Sequence, residues 1–223
     1  MNQEKSGSML KDALILFAIT LLAGLILGAV YQVTKEPIAV QKEKAKQKAC
    51  AEVFQDAASF EAIAVVAQEG ENGAASPNEE TVYLPEGWAE QGFEGVDIGE
   101  VMKALDGSGN VLGYVITVND HEGYGGDIEF MMGVRNDGTL NGISLLSISE
   151  TAGLGMRAEE VLKPQFAGKT AESFTYVKSG AAGDDQIDAI SGATITTNAV
   201  TNGVNGGLYY FREVLMEGGN GNE

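Results

Sequence analysis

The chain has 223 residues, of which 44% are hydrophobic and 21% charged, and its formal net charge is −18. This length suits one domain with appended segments, and the composition is typical of a globular protein. Residues 1–48 contain seven lysines and four acidic residues, whereas the rest of the chain contains seven basic and 28 acidic residues. A surface this acidic repels a phosphate backbone, which argues against nucleic acid as a partner.

Cysteine and histidine each occur once, as Cys50 and His121. A single cysteine excludes an intramolecular disulfide and an all-cysteine iron–sulfur cluster within this chain. A single histidine argues against a histidine-based metal site. We therefore predict no metal site, a packed Cys50 and an ordinary loop histidine.

Residues 13–33 are 21 consecutive residues without a charge, after a short polar segment at 1–12. As a helix they would reach about 31 Å, enough to cross a bilayer core. A cleaved signal peptide is the alternative, but its apolar region is usually only about 7–15 residues long. The sequence also lacks a clear small-x-small cleavage site after this segment. We predict an uncleaved, single-pass membrane anchor.

Five lysines follow this span within 15 residues and two precede it. By the positive-inside rule, this asymmetry favours a cytoplasmic location for the C-terminal side, although long domains translocate largely regardless of charge. Residues 34–58 are predicted to form a helical stalk, with Pro37 in the first turn of a charged helix that runs from Glu36 to about Ala58. Residues 68–82 are acidic and turn-forming, so we predict a surface loop.

Four apolar or alternating runs then predict strands at 101–105, 111–118, 126–134 and 140–148. The separators at 106–110 and 135–139 place Gly beside Asp or Asn, as tight hairpin turns require. An antiparallel meander follows from this pattern. In the glycine-rich segment 123–126, we expect Tyr124 either to pack on the core or to contact a ligand. Residues 156–168 predict a short helix that ends near Pro164 and Gly168.

Near the C terminus, apolar residues at helical spacing follow a further predicted strand at 174–177. They predict a helix with one face to the core: Val200, Val204, Leu208, Phe211 and Leu215. Gly203, Gly206 and Gly207 lower its helix propensity or mark close packing against a strand or a neighbouring protein. The predicted fold class is α+β, an antiparallel β meander with flanking helices, preceded by one N-terminal transmembrane helix.

The segment 188–196, Asp-Ala-Ile-Ser-Gly-Ala-Thr-Ile-Thr, comes directly before this helix. Its Gly-Ala pair leaves the backbone open to a large planar or phosphorylated ligand. Unpaired N–H groups at a helix start attract anions. The alternative is a plain helix start capped by Thr194 or Thr196.

The motif Asp-x-x-Ser-Gly-Ala-Thr at 188–194 resembles the acceptor motif of the flavin transferase that joins FMN to threonine. The family is the covalent FMN-binding domain shared by RnfG of the Rnf complex and NqrC of the sodium-pumping NADH:quinone reductase. Glu-Thr-Ala-Gly-Leu-Gly at 150–155 resembles a loop of that family that lies against the flavin, with Ala152 in place of Pro. Without the resemblance, this second motif reads equally well as a strand-exit turn.

The resemblance implies covalent FMN, phosphoester-linked to Thr194, and a chain that is not catalytic alone. The residues it implies at the flavin are those of the two motifs: Thr194 as the attachment point, Asp188, Ser191, Gly192, Ala193 and Thr196 around it, and Glu150, Thr151, Gly153, Leu154 and Gly155.

The family further implies an electron-relaying component of an ion-translocating ferredoxin:NAD+ oxidoreductase. Expected partners are the other membrane proteins of that complex, the flavin transferase and the lipid bilayer. The domain at 59–223 is expected outside the inner or plasma membrane, with residues 1–12 as a short cytoplasmic tail. Direct NAD binding is not expected, because no Gly-x-Gly-x-x-Gly opens a βαβ unit.

Three alternatives stay open. The first is the equivalent FMN protein of a sodium-translocating NADH:quinone reductase. The second is a non-redox, acidic, membrane-anchored binding module, and the third is an extracytoplasmic flavin reductase that acts alone.

Overall fold

The computed structural model describes residues 3–65, 80–81, 84–85 and 87–216. The chain divides into two compact units, Met1–Lys46 and Gln47–Glu223. The predicted surface loop at 68–82 lies outside the described residues except for Glu80 and Thr81.

Helix α1 runs from Gln3 to Val53. Its part from Lys11 onward contains a segment long and apolar enough to cross a membrane, and the large apolar side chains from Leu14 to Val33 are exposed. The Thr20 and Thr34 hydroxyls donate hydrogen bonds to the carbonyl oxygens of Leu16 at 3.0 Å and Val30 at 2.9 Å. These polar groups are thereby satisfied within the helix, as a bilayer core requires.

The predicted separate helix beginning near Glu36 was wrong, because α1 is continuous and Pro37 lies inside it. Proline removes one backbone donor there. The lysine, glutamate, alanine and glutamine residues that follow are strong helix formers, which accounts for the continuation. The helix ends at Val53, before the predicted end near Ala58. The boundaries assigned to the tail, the span, the stalk and the domain stay predictions.

The second unit is built on a six-stranded sheet with the order β2-β1-β3-β4-β5-β6. Its strands are β1 (Ser59–Val65), β2 (Glu80–Thr81), β3 (Val96–Leu105), β4 (Val111–Asp120), β5 (Ile128–Arg135) and β6 (Leu140–Ile148). The β1–β2 pair is parallel and the other neighbours are antiparallel. Strands β7 (Thr175–Val177) and β8 (Gln186–Asp188) form a separate parallel pair. The predicted α+β class and its antiparallel meander are confirmed.

Both predicted hairpin turns are present. In the β3–β4 turn, Oδ1 of Asp106 accepts hydrogen bonds from the backbone N–H groups of Ser108 at 2.7 Å and Asn110 at 2.9 Å. Gly109 and Gly138 have φ angles of +85° and +83°. These angles favour glycine, so the Asp/Asn-Gly pattern specified both turns.

The remaining helices follow β6. They are a 3-10 turn at Gly155–Arg157, α2 (Ala158–Val161), α3 (Lys163–Phe166), α4 (Thr194–Tyr210) and a π-helical turn at Phe211–Met216. The single helix predicted for residues 156–168 is therefore divided into three short pieces. Pro164 lies in the first turn of α3 instead of ending a helix, because a missing N–H is tolerated at that position.

The predicted apolar face is buried and packs against the sheet; it runs along α4 and into the π-helical turn that follows, which contains Phe211 and Leu215. A Cβ atom at Gly203 would lie 3.0 Å from the Phe130 ring, and one at Gly207 would collide with the Met132 sulfur. These two glycines therefore mark close packing against β5, which decides between the alternatives that the sequence left open.

A second apolar cluster contains the end of α1, where Ala49, Cys50 and Val53 pack with Val115 and Met131. Cys50 is 2% exposed, as predicted. The end of α1 is thus part of the folded domain.

Candidate flavin site

A tight turn joins β8 to α4 and carries the Ser-Gly-Ala part of the acceptor motif. The backbone N–H of Ala193 donates to the carbonyl oxygen of Ile190 at 3.0 Å. Gly192 has a φ of +80°, which strains any other residue. Ser191 and Gly192 are exposed at the tip of this turn, whereas Ala193 is buried.

Thr194 is the first residue of α4 and its side chain is exposed. Ala193 occupies the N-cap position, and no side chain caps the helix. The alternative in which Thr194 or Thr196 caps α4 is therefore wrong. The helix start presents uncapped N–H groups beside an exposed hydroxyl, an arrangement that favours an anionic ligand.

Thr197 braces this turn, which the sequence did not predict. Its Oγ1 accepts a hydrogen bond from the backbone N–H of Ile190 at 3.1 Å and donates one to the carbonyl oxygen of Ala193 at 2.9 Å. The side chain is fully buried. The sequence offered one hint of this contact: Thr197 lies four residues after Ala193, which is one helical turn away.

The Glu150 loop follows β6. Oε1 of Glu150 accepts a hydrogen bond from the backbone N–H of Gly125 at 3.2 Å. The Thr151 carbonyl accepts from the N–H groups of Leu154 at 3.1 Å and Met156 at 3.3 Å. Gly153 has a φ of +77° within this turn. Glu150 thus joins its own loop to the glycine-rich segment 123–126.

The Glu150 loop and the acceptor motif lie against each other. A Cβ atom at Gly155 would lie 2.5 Å from Oγ1 of Thr196 and 2.7 Å from Oε2 of Glu150. A Cβ atom at Gly192 would lie 3.2 Å from Cδ2 of Leu154. The fold therefore brings together motifs that are more than 30 residues apart in the sequence.

Exposed apolar side chains accompany these loops. Ile195 is 50% exposed, Leu154 41% and Met156 43%. Tyr124 is 69% exposed, so the alternative in which it packs on the core is wrong. We call these four residues the apolar rim.

The side chain of Asp188 makes a hydrogen bond away from the turn that carries Thr194. Its Oδ1 accepts a hydrogen bond from the backbone N–H of Ala181 at 2.8 Å, which secures the loop between β7 and β8. Thr151 and Gly153 are exposed on the Glu150 loop. Recognition of Asp188 by a transferase stays a prediction.

His121 is more than the ordinary loop histidine that the sequence predicted. Its Nε2 lies 2.8 Å from Asp97 Oδ2 and its Nδ1 lies 3.0 Å from Asp127 Oδ1. Hydrogen bonds to Asp97 and Asp127 raise the pKa of His121, and through them the ring joins β3 to the residue that directly follows the glycine-rich segment.

Replacing Gly125 by alanine should destabilise the domain by about 2 kcal/mol, because overpacking against fixed backbone is costly. The new Cβ atom would collide with the Ser149 carbonyl oxygen. Urea unfolding of the variant checks this. Gly107→Ala is the matched control, since Gly107 has open space around it and no positive φ, and a change within about 0.5 kcal/mol is expected. Equal stabilities of both variants would contradict the contact.

These residues fit a phosphorylated, planar ligand. The exposed Thr194 hydroxyl and uncapped α4 start suit a phosphate, and exposed glycine backbone at 153 and 192 permits close approach of a ring. Leu154 and Ile195 supply apolar surface beside it.

The chain is similar to known proteins over most of its length. Residues 123–208 match the FMN-binding domain family, and residues 1–53 match the RnfG N-terminal region. The chain is 33% identical over 208 residues to the RnfG-type protein of the Na(+)-translocating ferredoxin:NAD(+) oxidoreductase complex of Acetobacterium woodii, covering 92% of each chain. It is 31% identical to the proton-translocating counterpart of Clostridium ljungdahlii, covering 87% of this chain and 90% of the relative.

Among solved structures, the crystal structure of Shewanella oneidensis NqrC is similar with a TM-score of 0.42 and 23% identity, over 51% of this chain and 57% of that one. The A. woodii relative establishes the family, because it is 33% identical and matches 92% of its own length. The chain belongs to the RnfG family of Rnf complexes and carries an FMN-binding domain.

Proposed function

We propose that this protein is the membrane-anchored FMN component of an Rnf-type ferredoxin:NAD+ oxidoreductase, with FMN held covalently through Thr194. One observation carries the site assignment: the exposed Thr194 hydroxyl stands at the uncapped start of α4, inside the matched FMN-binding domain. The match of residues 1–53 to the RnfG N-terminal region supports membership of an Rnf complex over a quinone reductase.

Attachment is a phosphoryl-group transfer from FAD, catalysed by a separate flavin transferase. The Thr194 oxygen forms a bond to the phosphorus of the FMN half, the bond from that phosphorus to AMP breaks, and the hydroxyl proton passes to a base on the transferase. The products are the phosphothreonyl linkage and AMP. Because Thr194 is exposed, a second protein can reach its hydroxyl without unfolding α4.

Bound FMN would supply the reversible acceptance and release of electrons. The chain's own residues bind and orient it: Thr194 tethers it, and the tether gives a high local concentration even where noncovalent affinity is modest. The apolar rim would shield the ring from water, and Glu150 holds the loop that carries Leu154 and Gly155. The other membrane proteins of the complex are the electron donors and acceptors.

Helix α1 anchors the protein in the inner or plasma membrane as a single pass. We place the domain at 59–223 on the extracytoplasmic side, with residues 1–12 as the cytoplasmic tail and 34–58 as the connecting stalk, the end of which packs on the domain. The family resemblance supports this side of the membrane. The lysines that follow the span do not decide against it, since long domains translocate largely regardless of flanking charge.

The proposal predicts a flavin that survives denaturation. Full-length protein co-expressed with a flavin transferase should give a fluorescent band on a denaturing gel and an intact mass increased by FMN minus water. Mild solubilisation should recover the other Rnf proteins with it. A dark band, with the transferase shown active on a control acceptor, would contradict the covalent site and favour a non-redox binding module. Recovery of quinone reductase proteins would reassign the complex.

A further inference from the structure

The Gln165 side chain pairs with the backbone of Asp188, the first residue of the acceptor motif. Oε1 of Gln165 accepts a hydrogen bond from the Asp188 N–H at 2.6 Å, and Nε2 donates to the Asp188 carbonyl oxygen at 3.0 Å. One side-chain amide therefore satisfies both backbone groups of Asp188, as a neighbouring β-strand would.

Gln165 is itself held in place. Its Nε2 also donates to the carbonyl oxygen of Val161 at 2.6 Å. The next residue, Phe166, is fully buried and packs edge-on against Phe174. Lys163, on the same short helix, forms an ion pair with Glu52 at 2.7 Å, which ties α3 to the end of α1. The amide thus projects from an anchored helix.

Three consecutive N–H groups at the start of the acceptor motif have partners on three different elements. Asp188 donates to Gln165 on α3, Ala189 to the Val177 carbonyl oxygen at 2.8 Å on β7, and Ile190 to Thr197 Oγ1 at 3.1 Å on α4. These bonds fix the chain that enters the Ser-Gly-Ala turn. In the first of them the partner is a side chain outside both the motif and α4.

We propose that Gln165 is a positioning residue for flavin attachment: its amide fixes the entry of the acceptor motif, so that the turn and the Thr194 hydroxyl are presented in one geometry to the transferase. This inference rests on the proposed function. Loss of the clamp leaves the Thr194 hydroxyl chemically unchanged and lowers the fraction of molecules in which the motif has its competent shape.

The chain contains a matched control. Asn205, on α4, makes the same two-bond pairing with Phe174: Oδ1 accepts from the Phe174 N–H at 2.6 Å, and Nδ2 donates to its carbonyl oxygen at 2.9 Å. This pairing secures the residue before β7, whereas the Gln165 pairing secures the acceptor motif itself. Removing either side-chain amide therefore breaks the same two kinds of backbone hydrogen bond, at the acceptor motif in one variant and directly before β7 in the other.

The experiment measures covalent flavin incorporation into full-length protein purified without the transferase, after adding transferase and FAD. Gln165→Met keeps the side-chain length and removes both hydrogen bonds to Asp188, together with the one to Val161 on α2. Asn205→Leu removes both hydrogen bonds to Phe174 at the control site. We expect the KM for the Gln165→Met acceptor to rise about tenfold while kcat and the KM for FAD are unchanged. Asn205→Leu should retain kinetics within about twofold of the wild type. Hydrogen exchange at the Asp188 amide should quicken in the Gln165 variant alone.

Thermal unfolding of both variants measures whether either substitution destabilises the whole domain. Kinetics of Gln165→Met equal to the wild type, or slowed equally in Asn205→Leu, would overturn the positioning role while leaving the proposed function intact. A lower kcat at unchanged acceptor KM would overturn it too. A wild-type chain that takes up no flavin, with the transferase active on a control acceptor, would overturn the proposed function and this inference with it.

Discussion

Thr194→Ala should abolish covalent flavin incorporation, because alanine has no oxygen to receive the flavin phosphate. Thr194 is exposed at the first position of α4, where alanine is a good helix former. The free energy of unfolding should therefore change by less than about 0.5 kcal/mol. In-gel fluorescence and intact mass, measured beside the wild type co-expressed with the transferase, check this.

Two other hydroxyls lie in the segment 188–196, and the exposed one tests the assignment. Ser191 is exposed beside the turn, whereas Thr196 is 1% exposed, with its Oγ1 against Gly155. Ser191→Ala should retain the full flavin mass, since its hydroxyl is not the acceptor. A flavin that persists in Thr194→Ala and maps to a peptide modified at Ser191 would move the attachment point.

The meander could be predicted from the sequence because its signals are local. Asp106 and Gly109 encode one hairpin turn, and alternating apolar residues encode the strands beside it. Strands β1, β2 and β8 escaped prediction. β2 and β8 are only two and three residues long, too short to show a periodic pattern. β1 is specified by its pairing with β3, in which Ser59 lies opposite the distant Leu105. Such pairings have no short-range pattern.

In the candidate site, too, one part could be predicted from the sequence and another could not. Its motifs were visible through resemblance, and the structure shows that Gly155 and Gly192 are the points at which they touch. The supports of Thr197 and Gln165 were not predictable, because a buried threonine and a half-buried glutamine have no distinctive spacing. Side-chain to backbone bonds over 23 residues, as from Gln165 to Asp188, depend on the tertiary fold alone.

Asp120→Asn should stabilise the protein at neutral pH. Asp120 ends β4 and is fully buried. Its Oδ1 accepts a hydrogen bond from the Glu122 N–H at 2.8 Å, and within the described part of the chain its Oδ2 has no partner. Burial, as the largest cause, raises the pKa of Asp120 from 3.8 to about 6. Asparagine keeps an acceptor for Glu122 and carries no charge.

The pKa values of Asp120 in the unfolded and folded protein decide how stability changes with pH. The folded protein binds the Asp120 proton more tightly than the unfolded chain, so ionisation favours unfolding. Wild-type stability should fall as pH rises from about 4 to about 6 and carry the full penalty above that, on the order of 3 kcal/mol. The stability difference between Asp120→Asn and the wild type should therefore vanish near pH 4 and reach its maximum above pH 6.

Urea unfolding at intervals between pH 4 and pH 8 measures this difference. Asp184→Asn is the control, because it removes one exposed negative charge from the same acidic protein and reports the general effect of net charge. Its stability difference from the wild type should be small. A difference for Asp120→Asn that stays constant between pH 4 and pH 8 would mean that the Asp120 carboxylate ionises without penalty. The raised pKa would then be wrong, and Oδ2 would have to reach solvent or a partner in solution.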